Sequence, residues 1–299
     1  MRKLIILTIM IALGMLLMQP AFAQDVSVST YVLNLGSFDV AKGTYNADFY
    51  LDFVCDSNCS PDNFEILNGK IDKIDKILDE PNEKFYRIRA EFTTKIDLQR
   101  FPFDKQRLQI IIEDKKNTID KIRYVSAGQS SGIEDSIAFA GWNIDGWNAT
   151  VREHSYSTYN ETFSQYVFNI DISRISMNSF MKTFLPVFFI VLVVLFTFVI
   201  DPDKITTRIT MLGSMLIAAV MFHVAIAGQI PPVGYLTFAD KFMALTYVIL
   251  VSSFMVTIAI LQLTETKRNE IAMKLHRYTE FSMFIIVPIL YAALFLFLL

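Results

Sequence analysis

Thr206, Thr210 and Ser214 stand four residues apart, and Ile217, Met221, Val224 and Gly228 continue their line. At 100° per residue, all seven fall within an arc of about 80° on one helix face. Hydroxyl oxygens can replace an ion's hydration water, and a ring of aliphatic side chains can expel water and stop flow. A lipid-facing stripe has no use for hydroxyls, and a packed core has little. This face therefore offers the chemistry of a hydrated lumen, polar at one end and greasy at the other. The competing reading is a packed or lipid-facing helix whose hydroxyls bond to its own backbone.

Other reactive side chains are sparse. His154, His223 and His276 fall in unrelated segments, and there is no phosphate-cradling glycine loop or zinc-ligand spacing. These features imply no enzyme, no cofactor and no metal site. His223 lies within an apolar stretch about 140° from the centre of the hydroxyl stripe. An ionisable group at that depth is a functional candidate, here a proton sensor. The expected reading is a neutral imidazole bonded to a carbonyl of a neighbouring helix. Tyr156 and Tyr159 crowd a hairpin tip within 154–163, where aromatic faces could hold a cation. Cys55 and Cys59 would form a short-loop disulfide in an oxidising compartment, with two free thiols as the alternative.

These residues need two kinds of scaffold. Residues 1–23 read as a secretory signal: Arg2 and Lys3, the apolar Leu4–Leu17, then the small-x-small Ala21-Phe22-Ala23. Residues 24–179 alternate with period 2. In Tyr45–Phe53, for example, Tyr45, Ala47, Phe49, Leu51 and Phe53 interleave with Asn46, Asp48, Tyr50 and Asp52. Similar runs at Val26–Leu35, Phe85–Leu98, Leu108–Glu113, Ile119–Val125, Trp147–Glu153 and Phe163–Arg174 predict a β-sandwich. The tract Lys70–Leu78, Ile alternating with charges, reads as an edge strand. Residues 180–299 hold four apolar spans, about 180–200, 206–228, 242–263 and 281–299, each able to cross the ~30 Å hydrocarbon core. The fold class is α+β and multi-domain, an extracellular β-sandwich followed by a four-helix transmembrane bundle.

Charge sets the orientation. Residues 24–179 carry 24 acids against 17 Lys and Arg, a net of −7. An acidic outer domain gathers cations, and it leaves no basic patch for nucleic acid. Lys267, Arg268, Lys274 and Arg277 between the third and fourth spans belong inside, which puts the first domain outside. The expected location is the cell membrane, multi-pass, with the N-terminal domain extracellular or periplasmic.

The run Ile96-Asp97-Leu98-Gln99-Arg100-Phe101-Pro102-Phe103-Asp104-Lys105-Gln106 resembles the signature loop of the pentameric ligand-gated ion channels, the Cys-loop receptor superfamily. The cysteines that flank this loop in animal members would fall near Thr94 and Leu108. They are missing here, as in prokaryotic-type members. Arg174 resembles the arginine before the first span, Pro186 the proline within it and Arg208 the basic residue at the inner end of the second.

The resemblance implies a homopentamer with lipid around it and a pore lined by Thr206, Thr210, Ser214, Ile217, Met221 and Val224, with Ile217 as the mid-pore gate. It implies coupling of agonist binding to that pore through Asp39, Phe101, Pro102, Phe103, Asp104, Arg174 and Pro231. A small-molecule or proton agonist would bind near Tyr156 and Tyr159. The conducted inorganic ion would be a cation, given the acidic outer domain and Asp201 and Asp203. The alternative is a membrane-anchored sensor or binding protein that conducts nothing.

Overall fold

The computed structural model describes residues 23–56 and 63–298. The expected signal segment, apart from Ala23, and Cys59 with its expected disulfide to Cys55 lie outside the described residues. Cys55 itself is buried at the end of a strand.

Among the described residues, ten strands build two sheets. They are β1 (Gln24–Asp39), β2 (Thr44–Cys55), β3 (Phe64–Ile66), β4 (Gly69–Glu80), β5 (Glu83–Thr93), β6 (Lys105–Asp114), β7 (Ile122–Ser126), β8 (Gly132–Ile133), β9 (Trp142–Tyr156) and β10 (Glu161–Arg174). One sheet runs β4-β5-β2-β1-β7 with β8 on β1, and the other runs β3-β6-β10-β9. Alternation decides which face is buried. Phe49, Leu51 and Phe53 of β2 point inward beside Ile88 and Phe92 of β5. They meet Ile110 and Ile112 of β6 and Phe168 and Ile170 of β10 in one core. The edge strand β4 is mostly exposed and dense in charge, as expected of an edge guarded against further pairing. The predicted strand Phe85–Leu98 ends early, at Thr93, because residues from Thr94 on turn into the signature loop.

Asp52 is a strained spot in this sandwich. Its Oδ1 is buried without a hydrogen-bond partner. Partial burial and then the nearby charge of Glu83 push its carboxyl up to about 6, against a Phe53 backbone bond that pulls it down. The folded value exceeds the unfolded one, about 3.9. The ionised form is therefore the one folding disfavours, and stability from this group falls as pH rises from about 4 to about 6. Asp52→Asn should stabilise the domain above pH 6 by about 1–2 kcal/mol, a figure already discounted for partial exposure, with no gain near pH 4. Both tryptophans, Trp142 and Trp147, lie in this domain, so thermal unfolding followed by tryptophan fluorescence reads it directly. A gain equal at both pH values would show that Asp52 is not the group responsible.

Four helices long and apolar enough to cross a membrane follow, among the described residues: α1 (Ser176–Thr197), α2 (Ile205–Ala227), α3 (Phe238–Glu265) and α4 (Asn269–Leu298). The chain is a multi-pass membrane protein with its β domain outside. The first three helices overlap the apolar stretches at about 180–200, 206–228 and 242–263. The fourth helix starts at Asn269, ahead of the apolar span that opens near Phe281. The basic stretch read as a linker is a short turn at Thr266–Arg268, and Lys274 and Arg277 ride on the first turns of α4. The apolar run marks only the part of a helix in hydrocarbon, whereas the helix itself continues into water.

Candidate pore face and interdomain junction

The signature loop leaves β5 and returns at β6, and its own side chains close it. Gln106 donates from Nε2 to the carbonyl of Asp97 at 2.7 Å, and its Oε1 accepts the Asp97 N–H at 3.1 Å. Leu98 and Phe101 are buried, and the Phe101–Pro102 peptide is cis. Phe103 stacks on Phe184 of α1 with ring centroids 5.7 Å apart, and meets Phe238 of α3 and Phe295 of α4 edge-on. The loop thus enters an aromatic cluster at the outer end of the bundle.

Backbone bonds fasten the same loop to α3. The first N–H groups of a helix have no partner within it. Here the N–H of Phe238 donates to the carbonyl of Gln99 at 2.9 Å, and that of Ala239 to Phe101 at 3.1 Å. The N–H of Leu98 donates to the hydroxyl of Tyr235 at 2.9 Å. Thr237 and Asp240 complete a capping box at the same end. Pro231 lies in the preceding segment, whose Ile230 and Val233 pack on the same apolar cluster.

Asp104 is 1% exposed and accepts a two-pronged bond from Arg174, Nε to Oδ1 at 2.7 Å and Nη2 to Oδ2 at 3.1 Å. Gln106 donates to the same carboxylate at 2.9 Å. The Arg174 guanidinium lies over the rings of Trp142 at 4.4 Å and Phe101 at 5.2 Å. This junction joins the last residue of β10 to the signature loop, just before α1 begins. The sequence did not assign Trp142 here. Asp39 is engaged within its own β1–β2 turn, where its carboxylate pairs with Lys42 at 3.4 Å. That turn needs Gly43, whose φ of 69° is open to glycine at little cost.

On α2, Thr206, Thr210, Ser214, Ile217, Met221 and Val224 are all exposed, while Ile205, Leu212, Ala219 and Ile226 bury the opposite side. Ile217, Met221 and Val224 are 64%, 69% and 67% exposed, so this stripe is left uncovered by the subunit's own helices. Thr210 donates its hydroxyl to the carbonyl of Thr206, and Ser214 to that of Thr210, each at 2.9 Å. His223 turns away from the stripe. Its ring bonds Tyr247 Oη at 3.0 Å and Asp240 Oδ1 at 3.2 Å, both on α3. The expected carbonyl partner is therefore replaced by a hydroxyl and a carboxylate. Asp240 is also the capping-box acid, so His223 ties α2 to the helix end that the signature loop holds.

Between β9 and β10 the tip spans residues 157–160. Tyr159 is 73% exposed there. Tyr156 is held: it donates to Glu113 Oε1 at 3.1 Å, while Glu113 Oε2 meets His154 Nδ1 at 2.8 Å and accepts from Gln165 Nε2 at 3.0 Å. Burial, followed by the bond to Glu113, raises the Tyr156 phenol above its ordinary value. Glu113, buried beneath the hairpin, had no signal in the sequence beyond its place at a strand end.

No protein-family model matches the chain. Over 161 residues, 54% of the chain, it is 23% identical to a proton-gated ion channel of Gloeobacter violaceus, covering 44% of that protein. Over 169 residues, 56% of the chain, it is 22% identical to the neuronal acetylcholine receptor subunit alpha-10 of Rattus norvegicus, covering 38% of it. The matched part thus spans less than half the length of either curated relative. One relative is a channel and the other a receptor subunit, and neither is an enzyme. The chain thus combines an outer β-sandwich, four apolar helices long enough to cross a membrane and a loop docked between them with sequence similarity to a channel and to a receptor subunit, and on these together it resembles the pentameric ligand-gated ion channels.

Proposed function

We propose that five copies of this chain assemble around the α2 stripe and form an agonist-gated, cation-conducting channel. The observation that carries the reading is the uncovered α2 face, a hydroxyl-to-aliphatic stripe that the subunit leaves unpacked. Five-fold closure would cover its flanks and fill the centre with water. The backbone-bonded hydroxyls suit cations: a hydroxyl that donates toward its own helix presents oxygen lone pairs to the lumen. Asp201 and Asp203, exposed at the inner end, add negative charge along the same path.

The agonist, a small molecule or a proton, would bind beside the β9–β10 hairpin. Tyr156 is fixed by Glu113, and Tyr159 is free to close over a ligand. Agonist affinity would have to differ between closed and open states to shift their balance. Through β10 that difference would reach Arg174, and through the signature loop it would reach α3 and then α2. The disulfide between Cys55 and Cys59 belongs to this reading as well.

Reconstitution into vesicles tests it. Agonist- or pH-dependent cation flux is expected, with five-fold particles, and cysteines placed at Thr210 and Val224 should react with aqueous thiol reagents. Monomeric particles without flux would instead make the chain a membrane-anchored sensor.

A further inference from the structure

Arg208 sits in the first turn of α2, about 160° around the helix from the stripe, and is 0% exposed. Its guanidinium lies over the ring of Phe198 at 5.3 Å. Yet Nε, Nη1 and Nη2 have no hydrogen-bond partner among the described residues. His276 on α4 is also buried, its Nδ1 is likewise unpartnered, and it lies close enough to feel the charge of Arg208. Glu280 acts electrostatically on both groups, but it is only partly buried and shares no hydrogen bond with Arg208. No side chain caps the N-terminus of α2 and no acid stands in its first turn; Asp201 and Asp203, in the short turn just before it, are exposed, and Asp201 adds its charge near His276. Ile205, Ile260 and Ala272 form a buried apolar cluster at this inner end of the bundle.

A buried cation whose donors find no acceptor is costly. Full burial also excludes a headgroup tethered to a lipid tail, which would need an open path to Arg208. A small, weakly hydrated ion that accepts from any direction fits the donors better. We propose that Arg208, His276 Nδ1 and the N-terminus of α2 form an intrasubunit site for a halide-sized monovalent anion at the inner end of each helical bundle. The ion would lock α2 to α4. The site stands whether or not the α2 stripe conducts.

The test uses the whole protein in detergent micelles, with chloride or bromide against gluconate at equal ionic strength. Helix unfolding in chloride and in bromide is expected about 2–4 °C above that in gluconate. Arg208→Met should abolish the difference while melting in gluconate at or above the wild-type temperature, because an apolar isostere removes an unsatisfied buried charge. If Arg208→Met fails to fold, His276→Phe should still reduce the halide shift. Crystals grown in bromide should show anomalous density beside the Arg208 guanidinium. Equal melting in all anions, a halide shift that survives Arg208→Met, or density with Glu280 bonded to Arg208 and no ion would each overturn the proposal.

Discussion

Ile217→Ser should turn a closed channel into a leaking one. Ile217 lies at the middle of the α2 stripe and is 64% exposed in the single subunit, so it would face its four copies in an assembly. A closed gate of this kind works by expelling water rather than by a tight plug. Full burial of an aliphatic side chain contributes about 1.5–3 kcal/mol. A ring that gains only about 1 kcal/mol per copy on closing would lose about 5 kcal/mol over five copies, shifting the closed-to-open ratio by about 10³–10⁴. The measurement is cation flux from vesicles without agonist. Ile289→Ser, the same exchange at an exposed site of α4, should leave them tight. Unchanged agonist dependence in Ile217→Ser would remove Ile217 as the gate.

Much of this arrangement could be read from periodicity. Strand faces, helix faces and the exposed α2 stripe follow from spacings of two and of three to four residues, because each spacing dictates which side chains share a side. Contacts between distant segments were harder. Counting back along the hairpin from its 157–160 tip puts Arg174 opposite Asn143. The bulge between Asp171 and Ile172 shifts it onto Trp142, over whose ring its guanidinium lies. No sequence pattern announces that bulge. The bonds from Phe238 and Ala239 to the signature loop are backbone bonds, so no side chain could have signalled them. His223 was legible as inward-facing, but its partners Tyr247 and Asp240 depend on how α3 packs. Arg208 could be recognised as basic, but not as buried without a partner. The start of α4 at Asn269 carries no hydropathy signal, because hydropathy detects hydrocarbon rather than helix.

Breaking the Asp104–Arg174 pair should cost more than losing its attraction alone. In water such a pair contributes little, but Asp104 is buried and accepts from both Arg174 and Gln106. Arg174→Ala would leave that carboxylate short of its cation, a penalty of about 3–5 kcal/mol. It would also strip the guanidinium from Trp142 and Phe101. Lysine cannot restore the geometry, since an ammonium makes no two-pronged bond and lies less well over a ring. Arg174→Lys should therefore retain only part of the function. The expected result for Arg174→Ala is little assembled protein at the cell surface, or assembled protein that still binds agonist without opening. The double variant Asp104→Asn/Arg174→Gln separates pairing from packing. With both charges removed, it should be less impaired than the sum of the single changes, by about 1–3 kcal/mol. Surface labelling and agonist-evoked currents measure both outcomes. Normal assembly and normal gating in Arg174→Ala would mean that the outer domain communicates with the helices by another route, and the Phe103 aromatic cluster and the α3 backbone bonds would then be the contacts to break next.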